Sequence, residues 1–123
     1  MNMNTTPIDA ATHAVVWLDH RQANVMRIGS TPAQASRVRA HEHPTAQHGS
    51  EVRSEHEFYA QVCAALEGID AVLVTGSKTA LADFRHYVEK HRPHAAPRIA
   101  GYETVDHPTE KQLAALGRQF FEL

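Results

Sequence analysis

The sequence predicts a single α/β domain, a three-layer sandwich in which one mixed sheet lies between helices. Three observations lead there. The stretch "DAVLVTG" (70–76) is a continuous apolar run closed by glycine, the pattern of a strand covered on both faces by helices. From residue 54 onward strand and helix patterns alternate, which calls for parallel strands joined by right-handed crossovers. Residues 13–40 instead hold short β-rich runs separated by polar turns, which reads as a hairpin with a neighbouring strand. The expected order is β-β-β-α-β-α-β-α. A chain of 123 residues is long enough to bury such a core without disulfides.

Each element has its own signal. "HAVVWLD" (13–19) is an apolar β-rich run and "ANVMRI" (23–28) alternates, with the polar "DHRQ" between them as a hairpin turn. "SRVRA" (36–40) gives a third strand, with Arg37 and Arg39 on one face and Val38 on the other. Residues 41–53, "HEHPTAQHGSEVR", read as a His-rich mobile loop. Ser54 and Glu57 form a capping box that starts a helix with Phe58, Val62, Ala65 and Leu66 on one stripe, ended by Gly68. Ser77 N-caps the next helix, whose stripe is Leu81, Phe84 and Val88 and whose end is set by Pro93. "PRIAGYETV" (97–105) is a strand, and Thr109 with Gln112 caps a last helix with Leu113, Leu116 and Phe120 inward. Gly117 in that helix costs about 1 kcal/mol against Ala, which suits a close approach to the sheet. The expected core includes Val72, Leu73, Val74, Phe84, Leu113 and Phe120, with Trp17 and Tyr102 inside strands as core residues.

Composition bounds the function. The formal charge is −2 with histidines neutral, which argues against a general nucleic-acid binder and leaves room for a local basic patch. Arg27, Arg37, Arg39 and Arg53 are candidates for phosphate contact, although a solvated sheet edge explains them as well. The single cysteine, Cys63, excludes an internal disulfide and carries no metal-ligand spacing. No apolar run approaches the ~18 residues of a membrane span. Residues 1–12 lack the charged and apolar regions of an export signal, so they read as a flexible tail before the domain at 13–123, and a cytoplasmic location is expected.

The segment "VLVTGSKTALADF" (72–84) looks at first like a phosphate loop. A P-loop needs Gly, four spacers and Gly-Lys-[Ser/Thr], so that successive N–H groups wrap one phosphate. Ser77 stands where the second glycine belongs, and the first is missing. A strand, a glycine turn and a helix start remain, with Lys78 beside N–H groups that favour an anion.

In open α/β sheets ligands gather outside the carboxyl ends of parallel strands. Parallel strands would bring Ser77 and Lys78 to the same rim as Glu103, Asp106 and His107, with Asp19 and His20 joining them if the first strand is parallel too. A cation, carboxylates and imidazoles suit anion recognition or acid–base chemistry, but no positioned nucleophile is evident. Structural roles compete: Asp106 as a helix cap, His107 as the residue before a proline, Lys78 as a solvated side chain. A separate group, His41, His43 and His48, offers imidazoles for zinc without the spacing of a strong motif; a solvated loop is the simpler account, and no other cofactor is indicated.

Three stretches together, "VVWLDHRQANVMRI", "VLVTGSKTALADFRHYVEKHRP" and "GYETVDHPTEKQLAALGRQFF", resemble small bacterial proteins termed translational machinery proteins. These are similar to the third, C-terminal domain of archaeal and eukaryotic peptide-chain release factors and of pelota. The resemblance covers residues 13–121. It implies an α/β sandwich that serves as a docking surface for a translational GTPase and the ribosome. The Gly-Gly-Gln tripeptide used by release factors on another domain is absent from these 123 residues. The resemblance favours a non-catalytic, translation-associated binding module that contacts the ribosome, RNA or a translational GTPase without releasing peptides itself. A small enzyme using the Lys/Asp/His rim, or a metal- or pH-responsive His loop, is the alternative.

Overall fold

The computed structural model describes residues 12–29, 32–41 and 50–123. The expected tail up to residue 11, and His43 and His48 of the expected loop, lie outside the described residues. Five strands, β1 (His13–Leu18), β2 (Gln22–Ile28), β3 (Gln34–Arg39), β4 (Ala71–Gly76) and β5 (Ile99–Thr104), form one sheet in the order β3-β2-β1-β4-β5. The helices are α1 (Ser50–Ala65), α2 (Lys78–His91) and α3 (Glu110–Phe121). β1 is antiparallel to β2 and parallel to β4, and β4 is parallel to β5. This is the mixed, three-layer α/β sandwich that the sequence predicts.

Strand alternation divides the core in two. Ala14, Val16 and Leu18 of β1 join Val72 and Val74 of β4 beneath Phe58, Tyr59 and Val62 of α1 and Phe84 and Val88 of α2. On the other face Val15, Trp17, Met26, Ile28 and Leu73 meet Leu113 and Ala114 of α3. Burial of each large apolar side chain contributes about 1.5–3 kcal/mol, so β1 and β4, lined on both faces, anchor the domain. Thr75 is buried among them because its Oγ1 donates to the Val16 carbonyl at 2.7 Å.

Two glycines permit close approaches. Gly76 has φ of +155°, and a Cβ there would stand 2.0 Å from the Leu18 carbonyl oxygen. Its role is steric, at the last rung between β1 and β4, where Leu18 faces it. A Cβ on Gly117 would meet Val15 Cγ1 at 2.7 Å, so α3 rests directly on the sheet, as its sequence position suggests.

The same contact corrects the expected stripe of α3. With Gly117 against the sheet, the inward positions are Leu113, Ala114, Gly117 and Phe121, and Leu116 is half-buried. Phe120 is 38% exposed, outside the core where the sequence reading places it. Its ring covers Gly101, whose missing side chain leaves room for it.

The start of α1 is a second correction. The helix begins at Ser50, one turn before Ser54, so Ser54 is interior and no boundary capping box forms there. The preceding residues include Glu51 and Arg53, both strong helix formers, with no Gly or Pro to stop the helix. The last strand is shorter than the expected 97–105: Ala96–Arg98, with Pro97 inside, form a 3-10 turn, so β5 starts at Ile99. The remaining helix boundaries follow the sequence signals. Ser77 occupies the N-cap of α2, although its side chain makes no capping bond, and Arg92 before Pro93 is the C-cap. Thr109 and Gln112 form the reciprocal capping box of α3. Thr12, assigned to the tail by sequence, is tied to the domain because its carbonyl accepts from Asp70 and Ala71 N–H groups.

Replacing Gly76 by Ala is expected to destabilise the domain by more than about 2 kcal/mol, because β1 and β4 must part to admit the methyl group. Urea unfolding followed by circular dichroism measures this. An unchanged midpoint contradicts the steric role.

Candidate recognition surface at the strand ends

The parallel pairing of β1, β4 and β5 brings three loops to one edge. Backbone bonds continue the ladder into them. The Ser77 N–H donates to the Leu18 carbonyl at 3.2 Å, and the Val105 N–H donates to the Gly76 carbonyl at 3.1 Å. Asp19, His20, Ser77, Lys78, Glu103, Asp106 and His107 therefore lie along the carboxyl rim of the sheet.

Their individual roles differ. Asp19 Oδ1 accepts from the backbone N–H groups of Arg21 and Gln22 at 2.7 and 2.8 Å, which fixes the hairpin turn. His20 Nε2 lies 3.0 Å from Asp83 Oδ2 on α2. Lys78 is exposed and has no ionic partner among the described residues. Asp106 is exposed and leaves the capping of α3 to Thr109, while Glu103 is half-buried in β5.

His107 is built into a polar row on the α3 side. Its ring stacks on Trp17, with centroids 3.9 Å apart and planes 3° from parallel. Trp17 is 5% exposed and its indole N–H donates to the Val105 carbonyl at 3.2 Å, fixing the platform. Asn24, also buried, is the cross-strand partner of Trp17, and Arg37 is the partner of Asn24. Arg37 has only donors, so its Nε–H donates to Asn24 Oδ1, at 3.2 Å. That leaves Asn24 Nδ2 directed at His107 Nε2, 3.4 Å away, where the imidazole nitrogen accepts and the ring proton belongs on Nδ1. Trp17 is thus a core residue and a stacking platform at once.

The arrangement orients a flat imidazole and an arginine on the α3 side of the rim, while the exposed Lys78 stands at the start of α2. Neither rim imidazole hydrogen-bonds a hydroxyl or thiol among the described residues. The chemistry it offers is charge and stacking recognition.

The remaining sequence candidates are placed as follows. Arg37 and Arg39 share one face of the edge strand β3, both exposed. Arg27 is engaged elsewhere: its Nη2 donates to the carbonyls of Ala65 and Glu67, capping the end of α1. Arg53 is exposed on α1. His41 follows β3 and is exposed. At the opposite end of β4 and β5 a cavity of about 290 Å³ is lined by Cys63, Val88, Arg92, His94 and Arg98. Burial pushes the Cys63 thiol up to about 11, partly opposed by the Arg92 guanidinium, so it stays protonated near neutrality.

Sequence reasoning missed Asn24 and Asp83. Asn24 had one usable signal, a polar residue inside an apolar strand. Asp83 had none, because its partner His20 is remote in sequence.

Removing the imidazole with His107→Ala is expected to uncover one face of the only tryptophan. Iodide or acrylamide quenching of Trp17 should rise and its emission should shift to the red, with a stability loss of about 0.5–1.5 kcal/mol for the stacked pair. Unchanged quenching contradicts the stack.

No family model matches the sequence, and no curated protein does. Solved structures do. The chain superposes on Pelota of Archaeoglobus fulgidus with a TM-score of 0.59 at 15% identity, over 90% of this chain and 31% of that one. Pelota of Thermoplasma acidophilum gives 0.60 at 16% identity, over 97% of this chain and 34% of that one. At such identities the likeness concerns the fold. The chain has the fold of a pelota domain and spans about a third of the length of those proteins.

Proposed function

We propose that the chain is a translation-associated binding module whose carboxyl rim docks on the translation machinery: the ribosome, its RNA or a translational GTPase. The observation that supports this most strongly is the pelota-domain fold over 90% and 97% of the chain, together with the sequence resemblance at 13–121. The rim provides the docking groups. Lys78, His107 and Arg37 present exposed cationic or stacking groups on rigid strand ends, and Asp106 adds a carboxylate for orientation. The first turn of α2 contains no acidic residue and receives no cap from the Ser77 side chain, so its dipole adds to Lys78 in favouring an anionic partner group.

This module has no peptide-release activity of its own, since Gly-Gly-Gln is absent from its 123 residues. A cytoplasmic location accompanies this reading. Among the described residues no helix is long and apolar enough to cross a membrane.

Ribosome co-sedimentation from native lysate at low and high salt tests the proposal. The protein is expected in ribosomal fractions at low salt and to leave them as salt rises, because screening and counterion release weaken charge pairing. Lys78→Glu should lower the bound fraction roughly tenfold, as an exposed ion pair of ~1 kcal/mol is lost and repulsion takes its place. Absence from those fractions at every salt concentration, or unaltered binding of the folded variant, overturns it.

A further inference from the structure

On the α1/α2 side of the rim, His20, Glu55 and Asp83 converge from three separate elements: the β1–β2 turn, α1 and α2. We propose that they form a binding site for a divalent transition-metal ion, with zinc as the probe and the Tyr59 hydroxyl as its supporting hydrogen-bond donor. This inference stands independently of the docking proposal.

The geometry is the first support. One ligand atom from each residue lies within 4.8 Å of the other two. Ligands about 2.1 Å from a tetrahedral ion stand about 3.4 Å apart, so side-chain rotation alone closes the remaining distance. His20 Nε2 and Asp83 Oδ2, at 3.0 Å, are already near that separation. Without metal a proton bridges such a pair, and a dication replaces it.

Tyr59 is the second, independent support. Its side chain is 0% exposed, and its hydroxyl is buried without a hydrogen-bond partner. Such a group costs about 1–3 kcal/mol. Tyr59, Glu55 and Asp83 line one cleft of about 120 Å³, large enough for an ion with water. Burial first, and then the charges of Glu55 and Asp83, raise the pKa of Tyr59, so it remains a donor. A metal-bound water, or the outer oxygen of a ligating carboxylate, gives that donor the acceptor it lacks.

The donor set selects the metal class. One imidazole and two carboxylates suit zinc, manganese or iron, whereas an imidazole is a poor ligand for magnesium or calcium. Two carboxylates with a neutral imidazole balance the charge of a dication. The side chains of His20 and Asp83 are 41% and 51% exposed, so the ion enters without unfolding and water completes its coordination. Lys90 lines the same cleft and lowers its affinity for cations, which places the expected Kd on the order of micromolar.

The test is zinc titration of the full, tag-free chain by calorimetry, with circular dichroism to confirm folding of each variant. One zinc per chain is expected. His20→Gln and Asp83→Asn should each weaken it by at least about tenfold, and Tyr59→Phe by a smaller factor. The double variant His41→Ala, His43→Ala should bind as the unaltered chain does. The site is overturned if no binding tighter than about millimolar is seen. It is equally overturned if folded His20→Gln and Asp83→Asn bind normally, or if only the double variant loses zinc, which assigns the ion to the His-rich segment.

Discussion

The contact between the Leu18 carbonyl and the backbone of Gly76 governs the geometry of the rim. At this last rung of the parallel β1–β4 pair, the oxygen lies where a side chain of residue 76 would stand, and it also accepts the Ser77 N–H. Bringing the two strand ends together sets the hairpin turn beside the start of α2. The Gly76 carbonyl then accepts from Val105, which draws the β5 loop onto the same edge. The glycine that resembles part of a phosphate loop in the sequence is therefore a steric requirement of strand pairing.

From this edge the two faces of the sheet diverge in character. Toward α3, the row Arg37, Asn24, His107 and Trp17 is held by side-chain bonds and a ring stack, with the indole pinned to Val105. Each group except the outermost has partners on both sides, so the ring positions are set by the fold itself. Toward α1 and α2, His20, Glu55 and Asp83 sit above a buried hydroxyl that lacks a partner. The first arrangement is complete as it stands, whereas the second gains a missing bond from a ligand.

The elements were legible because local signals and global packing agree. The apolar run of β4, the alternation of β2 and the capping box at Thr109 each specify one outcome. The rim was legible because alternating strands and helices imply parallel order, which brings Lys78 and His107 to one edge. What escaped the sequence depends on packing. Whether Phe120 or Phe121 faces inward is a choice between two helical spacings, and Gly117 against Val15 decides it. The His107–Trp17 stack joins a residue that reads as core to one that reads as a turn. The helix residues before Ser54 carry no strong start signal, and the true boundary lies within a polar segment that resembles loop.

Hydrogen–deuterium exchange of the protein with and without ribosomes tests most directly the proposal that the carboxyl rim is a contact surface. The account predicts added protection at 19–21, 77–79 and 103–107, with no change at 92–98 on the opposite end of the sheet. Protection confined to 92–98, with the rim exchanging as in the free protein, would contradict it.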